Sequence, residues 1–164
     1  MTTFASPLFV CEDAGVYRVA TAEEVRGSAI ALLAGDLNEQ PVMNSPHKVK
    51  DFLRLHIGDL PHEVFSVLFL DPHNRMLAYE QMFRGSLSQT MVYPREVAKR
   101  ALELNADSVI FTHNHPGGST KPSQADIRLT NTLRDALNLV GVTVRDHIIV
   151  TRGLTCSMAE EGLM

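Results

Sequence analysis

The chain has 164 residues, 45% hydrophobic and 21% charged, which suits one soluble domain with an ordinary core. Fifteen Lys and Arg against nineteen Asp and Glu leave a net charge of −4, so no global basic surface for nucleic acid is expected. No apolar run reaches the roughly 18 residues that span a bilayer, the opening MTTFASPLFV lacks the regions of a signal peptide, and Cys11 and Cys156 form no CxxC pair. These features predict a cytoplasmic protein with reduced thiols and no membrane partner, whose metal ligands would come from His, Asp and Glu.

In chain order, residues 1–44 read as an N-terminal extension with one helix, and residues 45–164 as the domain proper. The first stretch, to about Val19, is poorly patterned. Thr21 followed by Glu24 resembles a capping box, opening a helix AEEVRGSAIALLAG that ends at Gly35. DLNEQPVMN reads as a linker. Ser45-Pro46 starts a second helix through Val49, Phe52, Leu53 and His56, stopped by Gly58. EVFSVLFL is an apolar strand, Asp71-Pro72-His73-Asn74 a turn, and RMLAYEQMF a second strand. Tyr93-Pro94 begins REVAKRALEL, a helix with Val97, Ala98, Ala101 and Leu102 on one face. SVIFTH is a buried strand. After Ser123 a helix carries Leu129, Leu133, Leu137 and Val140, with Gly141 at its end. VTVRDHIIVT closes the pattern. Alternating strands and helices predict an α/β or α+β class, a mixed sheet packed between helices.

The unusual stretch is HNHPGGSTKPSQAD, residues 113–126. Residues i and i+2 of a strand share a face, so His113 and His115 point the same way, with Val109 and Phe111. Pro116-Gly117-Gly118 breaks the strand and lets the chain return Asp126 toward the imidazoles. Two imidazoles, a carboxylate and a water would make a tetrahedral zinc site with one open position, the form of a catalytic centre. The same residues have a second reading, because Ser123 and Asp126 also fit an N-cap and its N3 partner.

HxHP followed by PSxxD resembles the JAMM motif of the JAB/MPN metalloprotease superfamily. Together with Pro94-Arg95-Glu96, Asn105-Ala106 and Asp146-His147-Ile148-Ile149-Val150, it resembles the RadC family over about Ser45 to Gly153. The resemblance implies a JAB/MPN (cytidine-deaminase-like) fold, a curved mixed sheet flanked by helices. It implies zinc bound by His113, His115 and Asp126, and a glutamate general base on an earlier strand, matched here to Glu80. Glu80 is the one carboxylate of RMLAYEQMF, and an exposed strand residue is its simpler reading. Gly117 stands where many RadC-like chains have serine, and the paired Gly-rich hairpins of the family's longer members are not found in residues 1–45.

The implied activity is a zinc-dependent metallopeptidase or isopeptidase acting on a peptide or isopeptide substrate. Glu80 would activate the bound water and Ser123 would stabilise the oxyanion. Two alternatives stand beside it: a DNA-associated repair accessory or nuclease, and a metal-binding module without turnover. His147 reads as a third imidazole ligand or as a structural histidine of its strand. His47, His56, His62 and His73 are expected to face solvent. Lys48, Lys50 and Arg54 read as a solvated basic face.

Overall fold

The computed structural model describes residues 7–12, 16–34, 42–85 and 92–164. A short antiparallel pair, β1 (Phe9–Cys11) and β2 (Tyr17–Val19), precedes helix α1 (Ala22–Ala34). The capping box expected there is formed. Thr21 N donates to Glu24 Oε2 at 2.8 Å, and Glu24 N donates back to Thr21 Oγ1 at 3.2 Å. The proposed stop at Gly35 and most of the proposed linker lie outside the described residues. The end of that linker is tied down: Val42 bridges Arg75, and Met43 is buried with its N–H on Asn74 O at 2.7 Å.

Helix α2 (Pro46–Ile57) follows its N-cap Ser45 and buries Val49, Phe52, Leu53 and Ile57, an i, i+3/i+4 stripe. Gly58 does stand at its end, but in right-handed helical conformation (φ −62°). Close approach rather than left-handed backbone fixes this glycine, since a Cβ there would sit 2.5 Å from Arg54 O and 3.0 Å from Thr151 O. Strand β3 (Val64–Leu70) is buried throughout. Asn74, at φ 61°, turns the chain into β4 (Met76–Arg84), while Asp71 Oδ1 accepts from His73 N and Arg75 N.

Helix α3 (Pro94–Glu103) buries Val97 and Ala101; Leu102, expected on that face, is 53% exposed. Strand β5 (Ser108–Asn114) is buried along its length, α4 (Gln124–Asn138) buries Thr130, Leu133 and Leu137, and β6 (Thr143–Val150) runs parallel to β5. Val140, expected on the apolar stripe of α4, lies beyond its end and is 39% exposed, and Gly141 turns the chain there with φ 75°. A short seventh strand, β7 (Thr155–Ser157), extends the sheet beyond the last strand read from the sequence.

The sheet order is β4-β3-β5-β6-β7, antiparallel except for β5–β6. This is the expected mixed sheet. One face carries Phe65, Val67, Phe69, Val109 and Phe111 against α3 and α4. The other carries Leu68, Leu70, Ile110, Ile148 and Val150 against α2. A bulge in β6 lets Val109 pair with Val144 and Ile110 with Asp146, so Arg145 is the extra residue. Alternation from Val144 would have turned His147 toward α2. The bulge turns it to the α4 face instead, in register with Phe111.

Candidate metal centre

His113 is the penultimate residue of β5 and completely buried; His115 follows the strand and is half-buried. Gly118, at φ 84°, turns the loop back, its N–H on His115 O at 3.0 Å. The chain then enters α4 through Ser123, whose capping box with Asp126 is complete. Ser123 N donates to Asp126 Oδ2 at 2.7 Å, and Asp126 N donates to Ser123 Oγ at 3.1 Å. The cap and the metal group are therefore one structure: the cap fixes the carboxylate that faces the imidazoles.

Three donors converge. His113 Nε2 lies 2.9 Å from His115 Nε2 and 3.5 Å from Asp126 Oδ1, and His115 Nε2 lies 3.8 Å from Asp126 Oδ2. One donor atom from each residue falls within 4.8 Å of the other two, a group able to hold a metal ion. Burial pushes the His113 imidazole down to about 4, against the pull of Asp126, so it is a neutral nitrogen donor near pH 7. His115 Nδ1 lies 2.7 Å from Ser119 O. A carbonyl only accepts, so Nδ1 carries the hydrogen and Nε2 presents a lone pair to the group. Two imidazole nitrogens and a carboxylate oxygen make a donor set that fits a divalent ion of the zinc class.

Asn114, between the histidines, acts as a clamp. Its Oδ1 accepts from Val64 N at 2.8 Å, and its Nδ2 donates to His62 O at 3.0 Å and Leu60 O at 3.3 Å. The end of β5 is thus bound to the segment that leads into β3.

The structure does not bring Glu80, the base expected from the sequence, to this group. Glu80 pairs with Val67 on β3, which pairs with Phe111 on β5, whereas His113 stands opposite Phe65. Two strand spacings sideways and two residues along set the Glu80 backbone about 12 Å from that of His113. Its carboxylate is held by Arg100 of α3, with Nη2–Oε1 at 2.6 Å and Nε–Oε1 at 2.9 Å. The carboxylate that the register favours is Glu63, two residues before Phe65. The β3–β5 ladder ends at Phe65–His113, and Glu63 lies just outside it. Its signal in the sequence was its place two before Phe65, on the alternation Glu63, Phe65, Val67, Phe69.

His147 is not among the converging donors. It is completely buried, edge-on to Phe65 and Phe111, and burial pushes its imidazole well below the ordinary value. The expectation of solvent-facing histidines fails at His56, which is half-buried in ring contact with Phe52 and Tyr79 and held down by burial. His62 is also partly covered, whereas His47 and His73 are exposed. Cys11 and Cys156 are free thiols.

A mixed α/β domain with a His-His-Asp group at one sheet end is the form of a JAB-type domain, and residues 43–163 match the RadC-like JAB domain. The chain belongs to the RadC family. It is similar to UPF0758 proteins: 56% identical over 133 residues to that of Paracidovorax citrulli, 81% of this chain and 56% of that protein. The protein from Methylibium petroleiphilum is 55% identical over 132 residues, 80% of this chain and 60% of its own length. That of Variovorax paradoxus is 49% identical over 160 residues, covering 93% and 71%. The chain thus spans little more than half the length of the first two of these relatives. Among the described residues, no helix is long and apolar enough to cross a membrane.

Proposed function

We propose that this domain is a zinc-dependent hydrolase of peptide or isopeptide bonds, with His113, His115 and Asp126 holding the ion and Glu63 serving as base. One observation carries the reading: His113, His115 and Asp126 converge as three donors suited to zinc, and Glu63 stands two residues before Phe65, the residue that pairs with His113. A zinc ion held there supplies Lewis-acid chemistry, acidifying water from about 15.7 to about 7 and polarising a carbonyl. Glu63 takes the proton of the attacking water as its oxygen joins the amide carbon. It then delivers that proton to the departing nitrogen as the C–N bond breaks. Ser123 is compatible with both roles read for it. As a cap its Oγ only accepts, from Asp126 N, which leaves its O–H to donate to the developing oxyanion. A cleft of about 430 Å³ beside the loop, between Lys121, Pro122 and Ile127 on one side and Cys156 and Leu163 on the other, offers room for the flanking chain.

The test compares two glutamates. The zinc-loaded protein is incubated with peptide libraries, isopeptide-linked conjugates and labelled DNA, alongside Glu63→Gln and Glu80→Gln. Glu63→Gln should keep its zinc and lose about 10²–10⁴-fold in hydrolysis, as loss of a general base does. Glu80→Gln should keep both. An inactive Glu80→Gln beside an active Glu63→Gln would restore Glu80 as base. Zinc-dependent cutting of DNA with every amide left intact would replace the substrate class.

A further inference from the structure

Beyond the three converging residues, the geometry assigns Thr130 and His147 as positioning residues that fix the hydrogen of His113 on Nδ1 and so keep Nε2 open for a metal ion. The inference rests on the reading of His113 as a metal ligand.

Hydrogen-bond polarity gives the direction. Thr130 Oγ1 lies 2.7 Å from Asp126 O, one turn earlier on α4, and 2.6 Å from His147 Nδ1. The carbonyl can only accept, and two oxygens at that distance with no hydrogen between them repel. The single hydroxyl hydrogen therefore goes to Asp126 O. His147 Nδ1 must then carry a hydrogen and donate to Thr130. His147 is completely buried between aromatic edges, where an imidazole stays neutral, so its Nε2 is a bare acceptor. His113 Nδ1 lies 2.7 Å from that nitrogen and must be the donor. His113 Nε2 is left without hydrogen, 2.9 Å from His115 Nε2, whose own hydrogen is committed to Ser119 O.

The contact left without a hydrogen is the one between His113 Nε2 and His115 Nε2, a repulsive pair that a cation relieves, whereas a bare contact between Thr130 Oγ1 and Asp126 O would have no such remedy. If His113 had the other tautomer, its Nε2–H would bond to His115 Nε2, and the two imidazoles would satisfy each other instead of an ion. The relay starts on the backbone of Asp126 and ends on His113, so one ligand's helix sets the other ligand's ring. The β6 bulge at Arg145 is what turns His147 to this face. Asp146 holds the bulge, accepting from His147 N at 2.7 Å, Ala159 N at 3.1 Å and Ser157 Oγ at 2.6 Å.

Zinc affinity, measured by chelator competition, is compared for wild type, Thr130→Val, Thr130→Ser, His147→Leu and His147→Gln. Nitrogen-15 spectra of the metal-free proteins report which ring nitrogen of His113 carries hydrogen. Thr130→Val and His147→Leu should bind zinc about 10–100-fold more weakly, the usual cost of losing a ligand's outer partner. Thr130→Ser keeps the hydroxyl and His147→Gln keeps an acceptor near Nε2, so both should stay within a few-fold of wild type. Wild-type His113 should show hydrogen on Nδ1, and Thr130→Val should show a share on Nε2. Hydrogen on Nε2 in the wild type, or undiminished affinity in Thr130→Val, would overturn the relay. Should His147→Leu fail to fold, the isosteric Thr130→Val decides. A wild type that takes up no zinc would defeat the metal reading instead, and the nitrogen pattern would still decide the relay.

Discussion

The two faces of the sheet bury polar groups in different ways. Toward α4, His113, His147, Thr130 and Asp126 are buried and joined in one hydrogen-bonded chain that ends on open donor atoms. Toward α2, the face is a packed apolar layer around Phe52, Leu53 and Leu68, and its buried hydroxyls, Ser66 and Tyr79, face each other without a close hydrogen bond to any other group among the described residues. Burial pushes the Tyr79 phenol up to about 12. The first face holds connected polarity that positions a ligand set; the second is packing with one pair of hydroxyls that leads nowhere. Buried polarity on its own therefore does not mark a site here. Its connection to outward-facing donors does.

The largest expected effect is a double dissociation between the faces. Phe52→Ala should cost about 3–5 kcal/mol in denaturant unfolding, with zinc content of the folded protein unchanged. His113→Ala should remove nearly all bound zinc in elemental analysis. It should also abolish the gain of about 2.7 kcal/mol that an ion at a hundred times its Kd gives the wild type. Equal zinc in wild type and His113→Ala would dissolve the contrast.

A second effect appears on acidification of the metal-free protein. The imidazoles of His113 and His147 sit below 6.5 in the folded chain, that of His113 at about 4. Below pH 6.5 the unfolded chain therefore binds protons that the folded chain does not. Stability should be full above that pH and fall steadily as pH drops toward 4. His56, on the other face, is shifted the same way by a half-buried position. His147→Leu should flatten the slope more than His56→Leu, as chemical denaturation across that range would show. The reverse order would place the acid-sensitive element under α2.

The smallest effect concerns the two hydroxyls of the α2 face. The Ser66 and Tyr79 hydroxyls have only a loose contact with each other to lose, so Ser66→Ala and Tyr79→Phe should each change stability by no more than about 1 kcal/mol. A loss of 2 kcal/mol in thermal unfolding would mean that the hydroxyls are partnered, and the α2 face would then resemble the other.

What could be read from the sequence follows how local each signal is. His113 and His115 share a strand face by spacing alone, and Asp126 sits at a fixed offset from its cap, so this trio was legible. Glu63 was not, because its candidacy depends on Phe65 lying opposite His113, a register that only the paired strands define. Glu80 drew attention as a lone carboxylate in an apolar strand, yet the outermost strand of the sheet lets Arg100 reach it from α3. His147 stays between a ligand and a structural reading on sequence alone, and its direction could not be foreseen, since simple alternation from Val144 gives the wrong face until the bulge is known. The three-residue β7 and the β1–β2 pair are too short to show a period. Asn114 carries no signal of its own between the histidines; its clamp on residues 60–64 appears only when β3 is in place.

The shared identity of cap and ligand at Asp126 has a consequence for how this position would register in a mutational survey. Oδ2 holds the first turn of α4 through Ser123 N while Oδ1 faces His113. An alanine there removes both duties together, and a survey scored by abundance or melting would record only a frayed helix start, a matter of about 1 kcal/mol. The metal role would stay hidden behind an ordinary capping phenotype. Ser123→Ala splits the two, since it takes away the hydroxyl half of the cap and leaves the carboxylate in place. The difference between the two alanine variants, scored by ion uptake, isolates what Asp126 does as a ligand.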